Sequence, residues 1–439
     1  FTSPNPDDPD NPFEAIDFTA GADGLFDINQ NKSVISNKLD AKIDYYYVLN
    51  NKSNLNFTLG TTLSRQDFNS NLFEILENGS SQDLNETEDG TPIGNDVRFN
   101  FSDVFLGLHY KIKTGIFTIT PGLTLHNYTT KSTQLGSTTE DSEWMVLPDL
   151  YTVVEFSQGK SLRFNYQMTA QYTDVNNFAE GLLFNNYNSL FRGNRDIENA
   201  IYHDVSLNYF SFSMFNFTSL FGGVNYSRRV DPIKTAGDFI GINRISRPVN
   251  NTNFADQTLS ANARFSKRFK KWKFNASARG SYSDLNNIVN TEDRNTKNLT
   301  QNYTTSAETN FKEGPNFEIG YNFTSTNSDN GVTDRTFFTN RPFANAEWSF
   351  GKGFTIAADW SLYNYDDNDD STEIENRYSF LEANLYYKKP ESKWEFRIQA
   401  TNLLDVDVIS TNSVNDFTIS NTEYFVQPRI VMFTVQYSL

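Results

Sequence analysis

The chain has 439 residues, a formal net charge of -17, 39 Phe, 22 Tyr and no Cys. No apolar run approaches the ~18 residues of a transmembrane helix. The missing Cys excludes disulfides, thiolate metal sites and Cys nucleophiles, and the acidic balance argues against a nucleic-acid partner. A mean hydropathy of -0.57 still accommodates membrane strands, which need apolar residues only at alternate positions.

The chain opens "FTSPNPDDPDNPF", with neither Met nor the apolar core of a signal peptide, and reads as a processed chain or a fragment. Residues 1–34 are expected to form an extracellular loop or a partial strand, and residues 35–439 a transmembrane β-barrel. The first clear strand carries Leu39, Ala41, Ile43, Tyr45, Tyr47 and Leu49 on one face. Further on, "SLRFNYQMTAQYTD" interleaves Leu162, Phe164, Tyr166, Met168, Ala170 and Tyr172 with polar residues, and its apolar face is expected to meet lipid. The same alternation flanks "KTG", "FKK", "KEGP", "GKG" and "KPESK", which read as hairpin turns.

Two kinds of connection alternate. Short turns fall near Asn51, Thr114, Gln158, Ser213, Lys270, Gly314, Lys352 and Glu391. Long polar loops are expected near 69–96, 132–144, 175–198, 230–254, 285–297, 328–335, 366–373 and 405–426. Eight turns join sixteen strands and "RIVMFTVQYSL" makes a seventeenth, the layout of an all-β, antiparallel outer-membrane barrel. Tyr45, Tyr47, Trp272, Trp348, Tyr387 and Trp394 beside the short turns match an interfacial aromatic girdle. The last strand ends on the short-turn side whereas the first runs down from the loop side. Parity therefore asks for an eighteenth strand or for further strands upstream.

The segment from Leu147 to Phe210 resembles the middle of the barrel of TonB-dependent receptors, in particular their Bacteroidota outer-membrane-barrel branch. The resemblance rests on Leu147 and Pro148, then Leu162, Arg163 and Tyr166, then Gly193, Asn194, Ile197 and His203. The end, "ATNLLDVDVIS" and "EYFVQPRIVMFTVQYSL", is similar to that family's penultimate "NL-D/N" motif and closing strand. Arg195 stands where the family usually has Pro, and Leu439 where it usually has Phe. The resemblance covers roughly residues 36 to 439 and implies a barrel of twenty-two strands, of which seventeen or eighteen are visible. It further implies a carboxypeptidase-regulatory-like domain, a plug and a TonB contact carried upstream.

No catalytic, cofactor or metal site emerges, and the chain reads as a non-enzyme. His109 and His126 are expected inward on one hairpin, with His126 opposite Ser102 and too far from His109 to share a metal. Asp370-Ser371-Thr372 resembles the Bacteroidota O-glycosylation acceptor, which makes Ser371 a candidate. Phe433, Val435, Tyr437 and Leu439 alternate as in the terminal signal read by the outer-membrane assembly machinery, or simply face lipid. The expected function is ligand uptake or surface binding by a receptor-like barrel in the bacterial outer membrane, among phospholipid and lipopolysaccharide. Two alternatives stand beside it: a receptor-derived scaffold within a surface complex that includes a lipoprotein or other outer-membrane subunits, and a plugless porin.

Overall fold

The computed structural model describes residues 27–84, 86, 92–186, 189–240, 243–250, 255–367, 376–414 and 419–438. Ser371 and Leu439 lie outside the described residues, as does most of segment 1–34.

In chain order the first strands are β1 (Ile28–Asn50), β2 (Ser53–Ile75), β3 (Ser81–Leu84), β4 (Asn95–Thr114), β5 (Phe117–Gln134), β6 (Ser137–Ser157) and β7 (Lys160–Gln171). One helical turn, α1 (Val175–Phe178), and a small hairpin, β8 (Leu182–Asn186) and β9 (Ser189–Arg192), precede β10 (Ala200–Ser213) and β11 (Thr218–Val230). A second small hairpin, β12 (Ile233–Ile240) and β13 (Asn243–Asn250), leads to β14 (Asp256–Phe269), β15 (Trp272–Val289), β16 (Glu292–Thr309) and β17 (Asn316–Asp329). Then come β18 (Asp334–Phe350), β19 (Phe354–Asp367), β20 (Asn376–Tyr387) and β21 (Trp394–Thr401). The separate hairpin β22 (Val408–Val414) and β23 (Ile419–Phe425) precedes the last strand, β24 (Ile430–Tyr437).

The wall is one antiparallel meander of seventeen strands, β1-β2-β4-β5-β6-β7-β10-β11-β14-β15-β16-β17-β18-β19-β20-β21-β24. Eight short turns join these strands near the expected positions, one of them, β4-β5, displaced by a residue or two, and the fold is the expected transmembrane-type all-β barrel wall. No helix of the described residues is long and apolar enough to cross a membrane. Among the described residues β1 pairs only with β2, and β24 only with β21.

Register decides the faces, because paired residues share a side. Ile43, Leu59, Leu106, Leu125 and Val146 form one outward row, and Ile43 is 72% exposed. The girdle residues Tyr45, Tyr47, Trp272, Trp348, Tyr387 and Trp394 share this outward side, as do Phe433, Val435 and Tyr437. Above the apolar belt the outward side turns ionic. Arg65 and Arg98 each approach Asp67 at 3.0 Å, and these hydrogen bonds, Arg65 first, hold the Asp67 carboxyl below its usual value.

Three expectations change. First, most of the segments 132–144 and 285–297 and half of 328–335 are strand rather than loop, closed by tight turns at Leu135-Gly136, Asn290-Thr291 and 330–333. Leu135, Gly136, Asn290 and Thr291 all have positive φ, the backbone of a primed hairpin turn, without the Asn-Gly chemistry that would announce it. Above the lipid belt both faces are polar, so the apolar alternation stops while the backbone pairing continues.

Second, the β4-β5 turn is centred on Gly115-Ile116, with Thr114 opposite Phe117. His126 therefore lies opposite Phe105, four residues from His109 rather than seven, or roughly 13 Å along the strand at ~3.3 Å per residue. Third, only the lower part of the Leu162–Tyr172 face turns outward. Its upper part, Met168, Ala170 and Tyr172, packs on the inner side of the wall against buried Tyr128, Met145 and Leu147. The β6-β7 pairing ends at Asp149 and Gln167, and beyond that point β7 departs from its neighbour.

Candidate functional site

The inward face of β1 to β6 is a lattice of acids with local partners. Thr62 and Thr58 donate to Asp40 and Asp44 at 2.7 and 2.6 Å, and Lys38 and Lys42 approach the same carboxylates at 3.1 and 3.4 Å. His126 Nδ1 lies 2.9 Å from Asp103, and His109 Nε2 lies 2.9 Å from Asp149. Each imidazole thus has its own carboxylate. Among the described residues no group of three or more His, Asp or Glu is arranged to hold a metal ion. His203 pairs with Met168, and its Nδ1 lies 3.1 Å from the Tyr166 hydroxyl.

Aromatic rings continue this wall upward. His126 stacks between Phe105 and Tyr128 with centroids 5.2 and 5.0 Å away, and Tyr172 meets Tyr128 at 4.3 Å and Phe101 at 4.6 Å. A second inward patch lies on β16 to β20, around a cavity of about 710 Å³. There the Arg341 guanidinium sits 4.7 Å from the Tyr363 ring, which stacks on Tyr378 at 5.2 Å. The Asp359 and Glu382 carboxylates face each other across β19 and β20. Aromatic platforms beside charged and amide groups suit a polar ligand with apolar faces.

Much of the described segment between β7 and β10 turns inward. It folds onto the inner wall of β2 and β4, where Val175, Phe178, Ala179, Leu183 and Phe191 bury against Phe68, Val97 and Phe99. Long wall side chains satisfy its backbone. Gln66 accepts from Val175 N, Gln134 donates to Phe178 O and accepts from Glu180 N, and Asn95 accepts from Gly181 N. The second hairpin joins it, β13 pairing in parallel with β9. Lys234 on β12 ties this cap to Asp256, buried at the upper end of β14.

The residues behind the family resemblance acquire physical roles here. Gly193 donates to Ala179 O at 2.7 Å, and a Cβ on it would lie 2.4 Å from that oxygen, so the chain crossing requires glycine. Asn194 N donates to Asn177 O, and its amide donates to Pro248 O. Arg195 reaches Glu180 and donates to Ser137 at 2.5 Å, fastening the crossing to the β5-β6 turn. Buried Asn402, with φ 49, donates to Val406 O and Gln427 O at 2.9 Å each and clamps the excursion between β21 and β24. Nothing in the periodicity of residues 173–199 announces the cap. The glycine and asparagine pair is its one visible signal.

No protein-family model and no curated protein matches the chain. Among solved structures it is similar to the copper transporter OprC, with a TM-score of 0.44 and 9% identity over 92% of this chain and 72% of that one. It is also similar to the ferric-catecholate import receptor Fiu from E. coli K12 in its closed form, with a TM-score of 0.41 and 11% identity over 92% and 64% of the two chains. For the FrpB iron transporter from Neisseria meningitidis (F3-3 variant) the values are 0.36 and 9%, over 98% and 75%.

Proposed function

We propose that this chain is the barrel of an outer-membrane, TonB-dependent-receptor-like protein of the Bacteroidota type, which takes up or binds a ligand through its lumen. The observation that carries the reading is the pair of edges. Strands β1 and β24 both run from the loop rim to the turn rim, so pairing them directly would make a parallel seam, whereas such barrels are antiparallel throughout. An odd number of further strands is needed between them, since lipid cannot satisfy open edges. Five would complete the twenty-two that the sequence resemblance implies. The exposed inner faces of β1 and β24 suit a wall that continues and a lumen that holds a plug, through which TonB would act.

Phe433, Val435 and Tyr437, outward on β24, fit the role of assembly signal within this reading. The test is the intact mass of the native polypeptide together with crosslinking of β24. A mass well above 50.2 kDa and a crosslink from Val431 to an upstream strand are expected. A closed barrel of about that mass would overturn the reading and leave a plugless porin as the better account.

A further inference from the structure

Two neighbouring turns at the turn rim differ from the rest of this acidic chain. The β10-β11 turn carries Phe215, 96% exposed, with Phe217 at 61%. The β14-β15 turn carries exposed Phe269 and Trp272 together with Lys267, Lys270 and Lys271. The turns touch: Arg268 N donates to Phe217 O at 3.0 Å, and Thr218 pairs with Lys267. Neither turn contains a carboxylate.

At two other turns a lysine has an acid beside it, Lys113 with Glu155 at 3.5 Å and Lys388 with Glu395 at 3.3 Å. Here Lys270 sits 5.7 Å from the Phe269 ring, and none of the three lysines forms an ion pair among the described residues. Phe269 and Trp272 are paired outward, and the same face continues into Phe265 and Phe274 of the apolar belt. The patch is therefore apolar toward the belt and cationic at the rim.

We propose that this patch binds an anionic phospholipid of the adjoining leaflet, its phosphodiester held by Lys267, Lys270 and Lys271 and its upper acyl chains lying against Phe215, Phe217, Phe269 and Trp272. Charge complementarity selects the head group, and continuity with the lipid-facing belt selects a lipid rather than a soluble anion. Aromatic and cationic residues together are the usual occupants of such an interface. The proposal rests on the membrane-barrel reading.

The test uses the full native polypeptide in phosphatidylethanolamine bilayers doped with brominated phosphatidylglycerol or, in parallel, brominated phosphatidylethanolamine. Quenching of Trp272 is taken as the difference between the parent and a Trp272→Phe variant. The anionic lipid is expected to quench more strongly. Combined Lys267→Gln, Lys270→Gln and Lys271→Gln should raise its half-quenching concentration by at least about fivefold, since each cation near a charged surface contributes appreciably, and the three Lys→Arg changes should preserve it. Equal quenching by both lipids, or a preference unchanged in the Gln variant, would overturn the proposal while leaving the barrel intact. Loss of the preference in millimolar inorganic phosphate would mark a free-phosphate site and likewise overturn it. Failure of the parent to insert into the bilayer would instead remove the membrane reading itself.

Discussion

In the wall, large apolar side chains point away from the protein, as with Leu106 at 54% exposure and Ile319 at 67%; in the cap, Val175, Leu183 and Leu190 are almost wholly enclosed. The wall leaves its apolar surface to the surrounding lipid and is held by its hydrogen-bond ladder. The cap, built from connections, follows the rule of soluble domains and packs a core of its own. One chain thus uses two solvents, and the same kind of substitution has different consequences in each.

The sharpest break between them is Phe178→Ala. Loss of a buried aromatic costs about 3–5 kcal/mol, and it should fall on the cap alone. Limited proteolysis is expected to cut within 173–199 while the SDS-resistant, heat-modifiable form of the barrel persists. Loss of both together would mean that cap and wall form one cooperative unit.

Next comes Ala278→Arg, outward between Ala263 and Tyr303. It should lose about 2–4 kcal/mol in lipid and reduce the yield of assembled barrel, whereas Ser306→Arg on the inner face, near Glu308 and Glu318, should assemble normally. Equal tolerance of the two would reverse the assignment of faces. Gly193→Ala is the smallest of the three. Its Cβ would meet the Ala179 backbone, and overpacking of this kind costs about 1–3 kcal/mol. Faster hydrogen exchange at residues 175–183, with none at β14 and β15, is the expected signature.

The two regions were also unequally legible in the sequence. Ile43, Leu59 and Leu106 announce the wall because lipid imposes a period of two on every strand that crosses it, and "KTG" or "GKG" marks each return. Where that demand ends, the signal ends. The strands above the belt, such as Thr129 to Gln134 and Ser137 to Glu143, are polar on both faces and read as loop although they remain paired. Leu135 and Thr291 gave no hint of their turns, because positive φ is unusual for such side chains. The cap was hidden for another reason. Its core joins Phe68 to Phe178 and Leu183, contacts between distant segments that no local period encodes, and its wall anchors, Gln66, Asn95 and Gln134, are ordinary polar residues until a partner is placed beside them. The inner pairs His126–Asp103 and His109–Asp149 depend on a register that turned on the placement of a single turn.

The common direction of β1 and β24 also bears on how the protein assembles. Most wall pairs join strands adjacent in the chain, so the sheet can grow hairpin by hairpin with little search. On the proposed reading the seam is the exception, because β24 must meet the most upstream strand, at the other end of the completed meander. Loop-closure entropy rises by only about 0.6 kcal/mol for each doubling of the span, so the seam is modestly costly in free energy but late in time. Until it closes, two long edges stand open, and this interval is when the chain is most exposed to pairing with the wrong strand.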